Sequence, residues 1–251
     1  MMPSSTQAVV LAGGKGTRLA PFTTVLPKPL LPIGNRAILE VVVEQLSLAR
    51  FTDLTFAVGY LPHLIEAVFK DGRDYGVDIS YHREVNPTGT AGVLADMRHL
   101  EEPFLMMNGD VLTTLGYREL YDAHCEAGNA LTVATHRRSI RSDYGVLRLD
   151  GEFGSTGRVV DWEEKPEHSE IVSMGVYVVS PHVCDYVEDD VATDLPDVVM
   201  RLLEAGEQVG SYAYEGLWLD IGRHDDYELA ITEYEKLVND TVPEPIPALA
   251  T

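Results

Sequence analysis

Short apolar runs alternate with amphipathic segments through the first half of the chain. The apolar runs predict buried strands at residues 8–12, 54–58, 77–81 and 104–107. Apolar residues at helical spacing predict helices at 36–49, with Asn35 as the N-cap, at 64–69 and at 91–100. Strands and helices that alternate in this way predict an α/β fold with a doubly wound, Rossmann-like sheet flanked by helices.

The pattern changes after about residue 130. Strand-like stretches follow each other closely at 131–135, 144–149, 157–162 and 172–179, and helical spacing returns at 194–204 and 225–237. We expect the second half to add an antiparallel or mixed extension to the sheet. We also expect a single domain over residues 1–240, divided into halves near residue 130, with a flexible tail at 241–251.

Charge narrows the range of partners. The 251 residues include 19 Lys and Arg against 40 Asp and Glu, which gives a net charge of −21. Nucleic-acid binding needs a basic surface and is therefore not expected, although a few local cations still suffice for a phosphorylated small molecule. The chain has no apolar run of membrane-spanning length and begins without signal-peptide features, so we expect a cytoplasmic protein without a membrane partner. A homo-oligomer is left open.

A glycine-rich segment directly follows the first predicted strand. Residues 11–19 read LAGGKGTRL, in which backbone N–H groups can approach phosphate oxygens closely while Lys15 and Arg18 add positive charge. The spacing fits neither the P-loop nor the dinucleotide-binding fingerprint. From the glycines alone, a purely structural turn is an equal alternative.

Three further side chains have the chemistry of a phosphate site. Lys28 lies between Pro27 and Pro29, which restrict the backbone around it, although a solvated surface lysine is the simpler reading. Asp110 follows a predicted buried strand at the sheet edge where ligands bind, and an ordinary turn residue is the alternative there. Asp220 is flanked by apolar residues, and two such carboxylates with phosphate oxygens suit Mg²⁺.

These segments resemble the sugar-1-phosphate nucleotidylyltransferases, the enzymes that make nucleotide sugars. The resemblance covers residues 8–235, in the family's order and spacing. It rests on LAGGKGTRL (11–19), PKPLLPI (27–33), NPTGTAG (86–92), NGD (108–110), YGVL (144–147), EEKP (163–166), MGVYVVSP (174–181) and WLDIG (218–222). It implies a GT-A-like nucleotidyltransferase domain with a nucleotide-binding half at 1–130 and a sugar-phosphate-binding half at 131–240. Few residues follow the last predicted helix, so we expect no β-helix or acyltransferase domain.

The resemblance also implies a reaction and a set of site residues. A nucleoside triphosphate and a sugar 1-phosphate would give a nucleotide sugar and pyrophosphate, with Arg18, Lys28 and Asp110 catalytic and Mg²⁺ held by Asp110 and Asp220. The sugar phosphate would meet Gly145, Glu164, Lys165 and Val176. The nucleotide would contact Leu11, Ala12, Gly13, Gly14, Lys15, Gly16, Thr17, Glu84, Gly89, Thr90, Asn108 and Gly109. Without the resemblance, EEKP would be only a charged loop.

Glu84 bears on the choice of base. Family members that use thymine or uracil typically have a glutamine at its place, whereas a carboxylate suits the adjacent N1–H and N2–H₂ donors of guanine. We therefore expect GTP, with mannose 1-phosphate or a manno-heptose 1-phosphate as the sugar, unless Glu84 faces solvent. A glucose-1-phosphate thymidylyl- or uridylyltransferase and a catalytically silent regulatory paralogue remain the alternatives.

Overall fold

A seven-stranded mixed sheet forms the centre of the fold. The computed structural model describes residues 6–84, 88–151, 154, 156–222 and 224–241. Its strands are β1 (Thr6–Leu11), β2 (Pro32–Ile33), β3 (Arg36–Ala37), β4 (Phe51–Val58), β5 (Asp78–Arg83), β6 (Phe104–Asn108), β7 (Val111–Thr113), β8 (Leu131–Arg141), β9 (Val146–Asp150), β10 (Arg158–Glu163), β11 (Glu167–Val179), β12 (Val209–Tyr214) and β13 (Trp218–Asp220). Its helices are α1 (Ile38–Leu48), α2 (Pro62–Phe69), α3 (Tyr117–Ala127), α4 (Leu195–Glu204) and α5 (His224–Thr241).

The order of strands in the main sheet is β12-β8-β11-β6-β1-β4-β5. Strands β5, β4, β1 and β6 are parallel to one another, whereas β11 runs antiparallel to both of its neighbours. Strand β1 therefore lies between β4, which follows it in the chain through α1, and β6, which comes later. The strand order therefore reverses at β1, because the chain adds β4 on one side of it and β6 on the other. Such a reversal is a topological switch point, where open α/β sheets bind ligands at the carboxyl ends of the strands.

Each face of the sheet has its own apolar core. Along β1, Ala8 and Val10 pack on one side and Val9 on the other, because successive side chains of a strand point to opposite faces. Helices α1, α2, α3 and α5 cover the first face, and α4 with two 3₁₀ segments covers the second. The predicted α/β class, with a mixed sheet between helices, is confirmed.

Two local predictions are wrong. Helix α1 begins at Ile38 and is not capped by Asn35, because Arg36 and Ala37 first pair with Pro32 and Ile33 in a short antiparallel ladder. Residues 91–100 form no α-helix; a 3₁₀ helix spans Gly92–Met97. Its buried Leu94 and Met97 are followed by buried Leu100, and a spacing of three residues matches the three-residue turn of a 3₁₀ helix.

The second half contains more structure than the pattern predicted. Strands β12 and β13 were not predicted, and β11 is longer than the predicted strand; helix α3, just before residue 130, was not predicted either. The outer parts of β8 and β11, together with the paired strands β9 and β10, form an arm (residues 137–151, 154 and 156–173) whose side chains are mostly exposed. No helix within the described residues is long and apolar enough to cross a membrane. The division into halves remains a prediction, and residues 242–251 of the expected tail lie outside the described residues.

Candidate active site

A cleft of about 410 Å³ opens at the carboxyl ends of β1, β4 and β6. Backbone hydrogen bonds hold these ends together: Gly109 N–H donates to Leu11 O and Ala12 N–H to Ala57 O, each at 2.8 Å. The volume of the cleft falls within the range of small-molecule binding sites. The cleft is lined by Leu11, Gly13, Gly14, Gly16, Arg18, Lys28, Ala57, Glu84, Gly89, Thr90, Asn108, Asp110 and Asp194.

The glycine-rich segment forms one wall of this cleft. Gly16 has a φ of +60°, and a Cβ there would lie 3.0 Å from Lys28 Cβ, so glycine allows the loop to pack on the lysine. Thr23 Oγ1 donates to Gly16 O at 2.8 Å and fixes the turn. Predicted nucleotide contacts Lys15 and Thr17 are exposed in the same loop, whereas Ala12 is buried beneath it.

Lys28 lies between two carboxylates, of which Asp110 lines the cleft and Asp220 is not among the lining residues. Its ammonium forms an ion pair with Asp110 and lies 3.9 Å from Asp220 Oδ1, although only 8% of the residue is exposed. Asp220 reaches this position because β13 pairs with β7, where Asp220 faces Val111 and Ile221 N–H donates to Asp110 O. The solvated-lysine alternative for Lys28 is therefore excluded.

The two carboxylates are electrostatically coupled. Burial raises the pKa of the Asp220 carboxyl above its usual value, and Asp110 adds to the rise, whereas Lys28 and Arg18 oppose it. Two neighbouring aspartates provide oxygen donors of the type Mg²⁺ prefers, and phosphate oxygens of a substrate would complete its coordination. Within the described residues, no group of three or more His, Cys, Asp or Glu side chains is arranged to hold a metal. The donor set thus fits an ion shared with a phosphate substrate better than a permanent metal centre.

Glu84 faces the cleft, not solvent. A Cβ on Gly13 would lie 2.9 Å from Glu84 Oε2, so the absence of a side chain at residue 13 makes room for this carboxylate. Its other oxygen, Oε1, accepts a hydrogen bond from Thr88 Oγ1 at 3.0 Å. The carboxylate therefore has one fixed oxygen and one oxygen beside the glycine-rich loop.

Asn108 sits where β6 ends, opposite another glycine. Gly175 has a φ of +74°, and a Cβ there would lie 2.7 Å from Asn108 Nδ2. A side chain at residue 175 would therefore displace the asparagine from its place in the cleft wall. Gly109 lies behind Asn108, bonded to β1, and does not line the cleft.

Most of the predicted sugar-phosphate residues belong to the arm and are not among the residues that line the cleft. A Cβ on Gly145 would lie 2.7 Å from the Trp162 ring and 2.9 Å from Glu164 Oε2, so the three residues pack together. Lys165 is exposed, with a φ of +48°. Val176 lies outside the arm and is fully buried in β11, where it faces Met107 of β6. The role of these residues stays a prediction.

Two cleft residues were missed by the sequence pattern. Ala57 lies near the end of β4, and Asp194 directly precedes α4. The Asp194 side chain accepts from Thr90 N–H at 2.9 Å and from Thr90 Oγ1 at 3.2 Å. Its only sequence signal was its position at the start of a predicted helix, which gave no indication of the cleft.

Comparison with known proteins identifies the group to which this fold and this glycine-rich cleft belong. A family model described as nucleotidyl transferase matches residues 7–236. The chain belongs to the nucleotidyl transferase family. The matched segment contains the glycine-rich loop, Lys28, both aspartates and the arm, so the predicted family resemblance is confirmed.

Curated relatives in this family differ in the nucleotide that their names imply. The chain is 33% identical over 229 residues to a mannose-1-phosphate guanyltransferase of Saccharomyces cerevisiae, covering 88% of this chain and 62% of that protein. It is 31% identical over 245 residues to a UTP–glucose-1-phosphate uridylyltransferase of Synechocystis, covering 90% of this chain and 62% of that one. The chain thus spans about 62% of the length of both relatives.

A solved structure supports the fold assignment. HddC from Yersinia pseudotuberculosis, complexed with GMP-PN, superposes with a TM-score of 0.69 at 22% identity. The match covers 91% of this chain and 99% of that one. This similarity establishes the same overall architecture.

Proposed function

We propose that this protein transfers a guanylyl group from GTP to mannose 1-phosphate or a manno-heptose 1-phosphate, releasing pyrophosphate. The observation that carries the proposal is the convergence of Arg18, Lys28 and Glu84 on one cleft beside the glycine-rich loop. Cations suit the triphosphate, and a carboxylate suits a base with hydrogen-bond donors. The names of the yeast relative and others like it support the same substrates.

The carboxylate of Glu84 favours guanine over uracil or thymine. Thr88 occupies one of its oxygens, and the other lies next to Gly13, where a bound base would meet it. Guanine offers adjacent N1–H and N2–H₂ donors to such an acceptor. Uracil and thymine offer one N–H between two carbonyl oxygens, so a carboxylate would gain one hydrogen bond and would repel the flanking carbonyl oxygen.

The chemistry is an in-line displacement at phosphorus. An oxygen of the sugar phosphate bonds to the α-phosphorus of GTP, and the bond from that phosphorus to the bridging oxygen of the β-phosphate breaks. The attacking group is already an anion and needs no general base, so catalysis consists of positioning and charge neutralisation. Lys28 neutralises the α-phosphate, and Arg18 stabilises the departing pyrophosphate. When bound by Asp110 and Asp220, Mg²⁺ supplies further positive charge to the phosphate oxygens.

The arm supplies the second substrate site in this proposal. Lys165 binds the phosphate of the sugar, Glu164 accepts hydrogen bonds from sugar hydroxyls, and the backbone at Gly145 approaches the ring. The packing of Gly145 against Trp162 and Glu164 supports this role, because it holds the Glu164 side chain in one orientation.

The test is pyrophosphate release with Mg²⁺, measured for GTP, ATP, UTP, CTP and dTTP with mannose, manno-heptose and glucose 1-phosphates. We expect the highest kcat/KM with GTP and a manno-configured sugar. A preference for dTTP or UTP with glucose 1-phosphate would instead support a thymidylyl- or uridylyltransferase. Binding of a nucleotide sugar without release from any pair would support a regulatory protein.

A further inference from the structure

The loop that carries Gly89 and Thr90 is held from outside the nucleotide-binding half. Five hydrogen bonds join residues 88–91 to residues 193–195, and we call this set the clasp. Two of them join backbone groups, Thr193 N–H to Thr88 O at 2.8 Å and Ala91 N–H to Thr193 O at 3.0 Å. In a third, Leu195 N–H donates to Thr90 Oγ1 at 2.9 Å. The other two are donated by Thr90 to Asp194 Oδ1.

The clasp leaves no free space between the two segments. Gly89 has a φ of +81°, and a Cβ there would lie 2.4 Å from Thr193 O and 2.9 Å from Asp194 Oδ1. Only glycine allows the chains to approach this closely. The position of the loop is therefore set by the segment that precedes α4, which lies 104 residues away in sequence.

The same loop also holds the carboxylate assigned to the base. Thr88 Oγ1 donates to Glu84 Oε1 at 3.0 Å, so Thr88 bonds Glu84 through its side chain and the clasp through its backbone carbonyl. Asp194 itself lines the cleft, together with Glu84, Gly89 and Thr90. A shift of Asp194 would consequently move Thr90, then Thr88, and release one oxygen of Glu84.

We propose that Asp194 is a positioning residue for nucleotide binding: through the clasp it fixes the 88–90 loop and the orientation of Glu84. This inference deepens the proposed function, on which it rests. In this proposal Asp194 affects the binding of the nucleotide, and it affects neither the binding of the sugar phosphate nor the chemical step. Its loss is expected to weaken nucleotide affinity while the turnover of bound substrates and the KM of the sugar phosphate stay nearly unchanged.

The test compares Asp194→Ala with a control on the same helical turn. Asp197 bonds Asp194 N–H through Oδ2 at 3.2 Å but does not line the cleft, so Asp197→Ala weakens the start of α4 without removing the clasp acceptor. We expect Asp194→Ala to raise the Kd and KM for GTP about tenfold, the effect of losing one or two hydrogen bonds. Asp197→Ala should leave both within about twofold, and Asp194→Asn, which keeps an oxygen acceptor, should recover most of the affinity.

Thr90 provides a second pair of variants. Thr90→Val removes the hydroxyl that bonds both Asp194 and Leu195 N–H, whereas Thr90→Ser retains it. The valine variant should reproduce the Asp194→Ala phenotype and the serine variant should not. Thermal unfolding of each variant separates a loss of affinity from a loss of fold.

The outcomes separate this inference from the proposed function. If the wild-type protein binds no nucleoside triphosphate, the proposed function fails and the inference fails with it. If the wild type prefers another base, the same variants are measured with that nucleotide. If the wild type binds and Asp194→Ala matches Asp197→Ala, or if kcat falls while the Kd is unchanged, the positioning role alone is wrong.

Discussion

Replacing Lys28 by glutamine removes the cation between two carboxylates. Lys28 Nζ pairs with Asp110 and lies 3.9 Å from Asp220 Oδ1. At this distance two unit charges attract by about 1 kcal/mol in water and about 4 kcal/mol at the effective dielectric of a protein surface. Because the Asp110 and Asp220 side chains are 20% and 42% exposed, solvent screens part of this attraction. We expect Lys28→Gln to lower the free energy of unfolding by about 2 kcal/mol, a value between those for exposed and for buried ion pairs.

For a chain of this length the loss corresponds to a fall of about 4–8 °C in Tm. Turnover should fall about 100-fold or more, the effect of removing one preorganised group that stabilises transition-state charge. Added Mg²⁺ should raise the Tm of the variant more than that of the wild type, because the two aspartates are then left without their cation. Thermal unfolding with and without Mg²⁺ and pyrophosphate release measure all three effects.

A matched control removes a lysine from an exposed ion pair. Lys70 Nζ lies 3.2 Å from Asp74 Oδ2, four residues along the chain, with both side chains mostly in solvent. Lys70→Gln should change Tm by less than about 2 °C and leave kcat unchanged. If Lys28→Gln keeps kcat within threefold of the wild type, or is as stable as Lys70→Gln, the role assigned to the Lys28 ammonium is refuted.

Three further predictions concern other residues. Glu84→Gln should shift the kcat/KM ratio of GTP to dTTP or UTP toward the pyrimidines by about tenfold or more, and an unchanged ratio would remove Glu84 from base recognition. Burial lowers the pKa of His124 from its usual 6.5 to about 4. Between these two pH values the imidazole is protonated in the unfolded chain but neutral in the folded protein. Stability should fall by up to about 3 kcal/mol between pH 6.5 and pH 4, and His124→Gln should flatten that part of the profile in urea titrations. Gly175→Ala should raise the KM for nucleotide and lower Tm more than Gly206→Ala, which has a similar φ of +78° but nothing near its Cβ; equal effects would mean that strain alone acts.

The hydrophobic pattern predicts strands and helices whose burial follows from neighbouring residues in the sequence. The run at residues 8–12 is apolar because β1 is covered on both faces, and the glycines after it mark the end of that strand at the ligand-binding edge. Helix α3 carried a readable signal in Tyr117, Leu120, Tyr121 and His124, which are all buried at helical spacing. This amphipathic pattern is sufficient to predict the helix from the sequence.

Other features depend on contacts between distant segments. Asn35 has the chemistry of an N-cap, but the pairing of β2 with β3 keeps the chain extended for two more residues. Asp194 has the sequence of an ordinary helix start, and only the folded chain brings it to Thr90. The proximity of Asp110 to Asp220 likewise results from pairing between β7 and β13, which the sequence pattern did not predict.

The most direct test of the account is a crystal structure of the protein with GDP-mannose and Mg²⁺. The account predicts that the guanosine-linked phosphate of the diphosphate lies against Lys28 and the sugar-linked phosphate against Lys165, with the guanine edge at the Glu84 carboxylate. A diphosphate bound away from Lys28, or a guanine without contact to Glu84, would contradict it.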